Sequence, residues 1–435
     1  MKTLKTTLLL LVAITLFNCK KDDNTEPVAN PTITTISPTN GPKTTIVTIN
    51  GQDFGTDLNN VTVFFNDVQG TVQAVTNTQI TAVVPARAFT GTVKVVVNGQ
   101  ETEGPIFTYI IIDIQVSTFA GSGVSGDVDG QGTNAQFNSP NGIVMDTNGN
   151  LFVADGSNNK IRKITPSGVV STFAGSGAQG NVDGQGVNAQ FRTLTGITID
   201  NQGNLFVADY NQKIRKITPS GVVSTFAGSG VSGDVDGQGI SAQFFWPDGI
   251  TIDNQGNLFV ADSYNQKIRK ITPSGVVSTF AGNGSEGDVD GTGASAQFGF
   301  PAGIAIDNQG NLFVADYFNS KIRKITPSGV VSTFAGNGAQ GDADGQGANA
   351  QFNLPSGIAI DNQDNLFVAD AGNNKIRKIT PSGVVSTFAG SGVSGDVDGT
   401  GASAQFHSPE SVLIDDNNDI YVADRNHKIR KITQE

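Results

Sequence analysis

The chain has 435 residues, 27 basic and 39 acidic side chains, a formal net charge of −12, one cysteine and two histidines. A single cysteine excludes an internal disulfide framework, and two histidines leave little from which to build a histidine-rich metal centre. The acidic balance disfavours direct binding to nucleic acid or to an anionic bilayer.

Residues 1–17 open with Lys2 and Lys5 and continue in an apolar run over 8–14 that is too short to span a bilayer, the pattern of an export signal. Cys19 follows directly, with Leu16 three positions before it, and this arrangement resembles a lipobox in which Cys19 is the lipid-attachment residue. Phe17 and Asn18 depart from the small residues usual there. A lipoprotein signal peptide is expected over 1–18, and a flexible, polar, proline-bounded tether over 19–30. One acyl chain binds a membrane only marginally, and the resemblance implies more than one at Cys19. Lys20, Lys21, Asp22 and Asp23 resemble the surface-export signal of Bacteroidota lipoproteins; a charged run that only solvates the tether is the alternative reading. Loss of the leader removes two lysines and takes the net charge to about −14. The location implied is a bacterial outer membrane, with the chain lipid-anchored and facing the periplasm or the cell surface.

Residues 31–110 hold short alternating strands separated by Gly, Pro, Asn and Asp, as a β-sandwich requires. The segments are ITTISPTNGP (33–42), VTINGQDFG (47–55), VTVFFND (61–67), ITAVVP (80–85) and GTVKVVVNG (91–99). They resemble an IPT/TIG domain, an immunoglobulin-like fold, and a stretch of this length suffices for one small core.

From residue 115 onward one unit repeats. VAD, a short turn and KIRKIT recur with the aspartate at Asp155, Asp209, Asp262, Asp316, Asp370 and Asp424. Within the first full unit GIVMD, NLFVAD, KIRKIT and GVVSTFAG read as four strands. TNGN and TPSG make tight turns, with Pro166 presetting one and Gly168 permitting positive φ. Four strands at this period describe the blades of a β-propeller. The chain ends after a sixth KIRKIT, and QVSTFA at 115–120 supplies the outer strand the last unit lacks. The fold class expected is therefore all-β, a small sandwich followed by a six-bladed propeller over 115–435 closed by an N-terminal outer strand. Lys160, Arg162 and Lys163, with their counterparts, hold 18 of the 27 basic residues, and they are expected to carry their charges to a solvated rim.

PNGIVMDTNGNLFVADGSNNKIRKI resembles the NHL repeat, and the longer unit with STFAGSG and DGQGTNAQF is similar to bacterial NHL propellers. Leu194 replaces the proline of the lead-in motif in the second unit, and Glu410–Ser411 replaces its x-Gly in the sixth.

Propeller topology puts the turns between second and third strands on the same face as the loops that join units. These joining loops are long, which in compact domains accompanies function or local packing. Phe137, Phe191, Phe244, Phe298, Phe352 and Phe406 are read as anchors that fold each loop over its unit. The acidic pairs Asp127/Asp129, Asp234/Asp236, Asp288/Asp290, Asp342/Asp344 and Asp396/Asp398 supply hard oxygen ligands beside a turn glycine, so calcium is the one cofactor considered. They lack the bidentate glutamate of a calcium loop, and Asx-type turns are the competing reading. Asn181 replaces the first member in the second unit and Asp183 is kept.

Tyr210, Phe245, Trp246, Tyr264, Tyr317 and Phe318 cluster over units two to four and form a candidate ligand-binding surface. Filling gaps between loops is the alternative. His407 and Glu410 are the best enzymatic candidate, as in propeller lyases and lactonases with a metal at the channel, but no catalytic residue is assigned and no enzymatic activity is expected. The reading is a monomeric, lipid-anchored envelope binding protein, its sandwich a spacer and its propeller a platform for a protein or glycan partner. A propeller lyase or lactonase and a purely structural spacer are the other two.

Overall fold

The computed structural model describes residues 30–434; the expected signal peptide, Cys19 and residues 20–29 lie outside the described residues. Among the described residues the regular elements are β-strands and three-residue 3₁₀ turns. The chain divides at Ile110/Ile111 into two compact units.

In the first unit, a four-stranded sheet runs in the order Thr32–Ser37, Ile46–Gln52, Gln79–Val83, Thr71–Thr76. A five-stranded sheet runs in the order Asn40–Gly41, Gln100–Tyr109, Gly91–Val97, Val61–Phe65, Val68–Gln69. Alternation buries Val47, Ile49, Ile80 and Ala82 on one sheet and Val63, Phe65, Val93, Val95 and Phe107 on the other, the core of a sandwich.

The second unit contains six sheets of propeller type, each with five strands. In the first of them Pro140–Met145, Leu151–Asp155, Lys160–Ile164 and Val169–Ala174 lie side by side, antiparallel. The turn between the last two closes where Gly168, at φ 85°, donates its N–H to the Thr165 carbonyl at 2.8 Å. The fifth strand, Gly130–Gln131, is contributed by the preceding loop and pairs with Val169 and Val170. That loop thus covers an outer edge that would otherwise be open to strand addition. In the sixth sheet Ile114–Ala120 lies beside Lys428–Gln434, with Val116 opposite Ile432, and Gly399–Thr400 pairs outside it.

Each sheet is buried on both faces. Leu151–Asp155 and its five counterparts are buried at every position, as a strand packed on both sides must be. Phe152, Ala154 and Ile161 pack against Leu194, Ile197 and Val207 of the next sheet. Tyr421, Ala423 and Ile429 of the sixth sheet pack in the same way on Ile143, Leu151 and Val153 of the first. The innermost strands touch their neighbours in sequence, and Pro409–Ile414 touches Pro140–Met145. A Cβ on Gly142 would sit 2.4 Å from the Thr195 carbonyl oxygen, so glycine is what lets these inner backbones come so close.

The basic segments do not form a solvated rim throughout. Arg162, Arg215, Arg269, Arg323, Arg377 and Arg430 are fully buried. A strand covered on both faces has no solvent side, and the guanidinium stays inside because its partners are built in. Arg162 donates to Asp155 at 2.9 Å and to Asp129 at 2.6 Å, and also to the carbonyls of Gln136 and Val128 at 2.9 and 3.0 Å. The Phe137 ring lies 5.2 Å from its centre, so the recurrent phenylalanine anchors the loop by stacking on the buried cation. All six units repeat this clamp. Burial pushes the Asp155 carboxyl up from its ordinary value, against the pull of the Asn138 N–H, the Asn158 amide and Arg162.

Removing one partner from a buried ion pair leaves an uncompensated charge. Arg269→Met is expected to lower stability by about 3–5 kcal/mol. Lys267→Ala, which breaks the neighbouring pair with the half-exposed Asp234, should cost about 1 kcal/mol or less. Chemical denaturation of both variants checks the contrast.

Candidate functional site

The acidic pairs considered as calcium ligands are divided between two cations of the chain itself. The first members meet lysines: Asp127, Asp234, Asp288, Asp342 and Asp396 lie 2.6–2.7 Å from Lys160, Lys267, Lys321, Lys375 and Lys428. The bond from lysine holds these five carboxyls below the ordinary range. The second members meet the buried arginines: Asp129, Asp236, Asp290, Asp344 and Asp398 lie 2.6 Å from Arg162, Arg269, Arg323, Arg377 and Arg430. Each of these carboxylates also accepts from a threonine of the outer long strand, as Asp290 does from Thr333, Asp344 from Thr387 and Asp398 from Thr118. The two members of a pair thus bond to different cations. The second aspartate recurs six times because each unit buries an arginine, and Asn181 replaces only the lysine's partner. Among the described residues no group of three or more His, Cys, Asp or Glu side chains comes together as a metal site would need.

A cavity of about 560 Å³ opens where the lead-in residues of the inner strands meet the turns between second and third strands. Three positions of the repeat supply most of its wall. The first, just before the lead-in proline or its replacement, reads Ser139, Thr193, Trp246, Phe300, Leu354 and Ser408. The second, just after it, reads Asn141, Thr195, Asp248, Ala302, Ser356 and Glu410. The third, after VAD, reads Gly156, Tyr210, Ser263, Tyr317, Ala371 and Arg425. The strands KIRKI and VVSTFA are identical in the middle units, so the copies differ most where they face this cavity.

The residues of the first position all have left-handed backbone, at φ 46–58°. For a side chain as large as Trp246 or Phe300 that conformation costs of order 1–3 kcal/mol and persists only when the surroundings enforce it. At five of the six positions the enforcing group is the residue before a KIRK segment; the exception is Leu354, where that residue is Ser320 and its hydroxyl has no hydrogen-bond partner among the described residues. Trp246 donates its N–H to Gln212 Oε1 at 2.7 Å, Thr193 to Asn159 Oδ1 at 2.8 Å, and Ser408 to Asn374 Oδ1 at 2.9 Å. Ser139 of the first unit donates to Nδ1 of His427 of the sixth at 3.1 Å. These bonds tie neighbouring repeats together at every junction but that between the fourth and the fifth.

Five of the six aromatic candidates line the cavity: Tyr210, Trp246, Tyr264, Tyr317 and Phe318. Tyr210 stacks on Trp246 at 5.4 Å with planes 7° apart, and Trp246 meets Tyr264 edge-on at 4.2 Å. Phe245 stands behind them, 4.8 Å from Tyr264. Phe300, which sequence reasoning missed, joins the two halves of the arc through Tyr264 at 5.3 Å and Phe318 at 5.3 Å. Tyr264, in the middle of the arc, and Phe318, at one end, are 43% and 54% exposed, whereas Tyr210 at the other end is part-buried.

His407 and Glu410 are not brought together. His407 Nδ1 is bonded to Ser394 Oγ at 2.7 Å, outside the cavity lining. Glu410 lines the cavity, paired with Arg425 Nε and accepting from Ser356 Oγ at 3.0 Å. Asp248 was also missed. Burial and the Glu410 charge push its carboxyl up to about 7, despite Arg425 and Thr195. Burial pushes Glu410 up as well, opposed by Arg425 and Ser356. Reading the lead-in position down the six copies exposes both acids, since it turns from neutral to acidic only twice.

The IPT/TIG domain family matches residues 31–109, and the NHL repeat family matches 137–164, 244–271, 298–325 and 352–379. The chain therefore carries an IPT/TIG domain and NHL repeats. The human NHL repeat-containing protein 2 is 30% identical over 304 residues, 60% of this chain and 42% of that protein. The chain spans less than half the length of the curated relatives it matches. Two solved Bacteroides thetaiotaomicron structures share the fold, each covering 94% of this chain and 99% of their own. One is a structural genomics protein of unknown function, at 21% identity and a TM-score of 0.67. The other is described as an auxiliary nutrient binding protein, at 20% identity and a TM-score of 0.58.

Burial, and then His407, lower the His427 pKa below 6.5. Its stabilising contribution is complete above the unfolded value and is lost as pH falls through the folded one. His427→Gln installs the neutral acceptor used at Gln212 and Gln266. The variant should match the wild type near neutrality and lose less stability on acidification, as read from denaturation midpoints across the pH range.

Proposed function

We propose that this protein is a lipid-anchored cell-envelope binding protein that receives its ligand at the cavity where the six lead-in strands meet. The single observation that carries this reading is where the repeats diverge. Repeats that share the buried arginine clamp and the KIRKI strand carry Trp, Phe, Tyr, Asp, Glu and Arg at the three positions that supply most of the wall of one cavity. Packing alone gives no reason for such differences, because Ser139, Asn141 and Gly156 occupy the same places in the first unit. A cavity of this volume, walled by aromatics with a few polar groups, suits a small molecule or the end of a longer chain.

In this proposal the six sheets are the blades of one ring closed by Ile114–Ala120, and the sandwich of residues 31–110 serves as a spacer between ring and anchor. The ring acts as a monomer and as a platform for a protein or glycan partner. An auxiliary nutrient-binding role, the description attached to one solved protein of the same fold, is the form it takes. Anchoring rests on Cys19, and the bacterial outer membrane is the proposed location.

A glycan-array and envelope pull-down screen of the protein, run beside Trp246→Ala, tests the site. The expected result is a ligand whose retention falls at least about tenfold in the variant; a ligand retained equally by both would place binding elsewhere. Cys19→Ser should move the protein from the membrane to the soluble fraction, as followed by fractionation.

A further inference from the structure

The cavity's charge and its aromatic wall together specify a ligand chemistry. Its lining includes two carboxyl groups, Asp248 and Glu410, and one basic side chain, Arg425. Arg425 is bonded to Glu410, whose other oxygen is held by Ser356, so the sixth sheet neutralises its own acid. Asp248, on the third sheet, feels the same Arg425 but forms no ion pair with it among the described residues. The other titratable groups facing it are Tyr210, Tyr264 and Tyr317, from the second, third and fourth sheets, while the first and fifth sheets present Asn141 and Ser356. With both acids ionised the wall carries one excess negative charge in a partly desolvated place.

In the same cavity the aromatic arc presents π-systems, whose negative faces attract cations and repel anions. The net charge of −12 adds a long-range field of the same sign. A neutral ligand would leave the Asp248 charge unanswered, and an anion would add to it.

We infer that the ligand group received by this cavity is an organic monocation, an ammonium or guanidinium group carried on a small molecule, seated between the Asp248 carboxylate and the arc from Trp246 to Phe318. The inference rests on the binding role proposed above. The cation exchanges its hydration for the carboxylate and the ring faces, which is where its selectivity over an uncharged molecule of equal shape arises. Because the Asp248 carboxyl titrates near neutrality, such a cation binds the ionised form and is released as pH falls.

Calorimetric titration of the full chain with choline, with methylguanidine and with the uncharged carbon isostere of choline tests this. The expected result is that one of the two cations binds at least about tenfold more tightly than the isostere. Its affinity should fall about tenfold between about pH 8 and about pH 6, following the ionised fraction of Asp248. Asp248→Asn places there the residue the first sheet uses at Asn141, so folding should survive. That variant should bind the cation more weakly, with no pH dependence, and Trp246→Ala should weaken it in parallel. Equal binding of cation and isostere, or the same pH dependence in Asp248→Asn, overturns the inference. Neutral oligosaccharides that bind the wild type but not Trp246→Ala overturn the cation and leave the binding site standing. No binding of any probe, joined to an empty array and pull-down, removes both.

Discussion

A guanidinium group buried without compensation would unfold a domain, since its desolvation costs several kcal/mol. In this protein six of them stand inside the sheets, each between one carboxylate from the end of the second strand and another from the preceding loop. The clamp needs both acids, two loop carbonyls and a phenylalanine ring to fall within a few ångströms of one cation. It therefore fixes the path of a long loop that has little regular structure of its own. The loop, once fixed, reaches the outer edge of its sheet and adds the short fifth strand, and it delivers the lead-in residues to the cavity.

The same arrangement separates frame from mouth. Energy is concentrated in the clamp and in the wedge-shaped cores between sheets, whose residues are almost invariant from copy to copy. The residues just before the lead-in proline sit on left-handed backbone, and all but Leu354 are held by single bonds to Asn, Gln or His of the adjoining repeat. Such bonds read only the backbone N–H, so the side chain at that position is free to be serine in one unit and tryptophan in another. Divergence of the ligand-facing surface then costs the frame little.

Much of this was legible in the sequence because it is local. The strand segments, the Pro–Gly turn at Pro166–Gly168 and the phenylalanine anchors follow from residue type and spacing, and five cavity aromatics were found by noting where the copies differ. The buried arginine was not legible. Alternation shows which residues share a face but not whether that face meets water, and the basic run of KIRK looks like surface. One of its acidic partners was visible in the D-x-D pattern, yet in the first repeat it lies 33 residues before the arginine, and only the fold joins them. Asp248 and Arg425 belong to different columns of the repeat and to the third and sixth sheets. They share one cavity because the six lead-in strands converge there, and no single repeat contains that meeting.

The central claim is that the buried cation and its carboxylates act as one unit. A double-mutant cycle on Arg323→Leu and Asp316→Leu, measured by chemical denaturation, addresses it most directly. Arg323→Leu leaves Asp316 buried without its cation, Asp316→Leu leaves Arg323 held by Asp290 alone, and the pair removes both buried charges. The account predicts that the double variant is more stable than the sum of the single losses by at least about 2 kcal/mol. Strictly additive losses would contradict it.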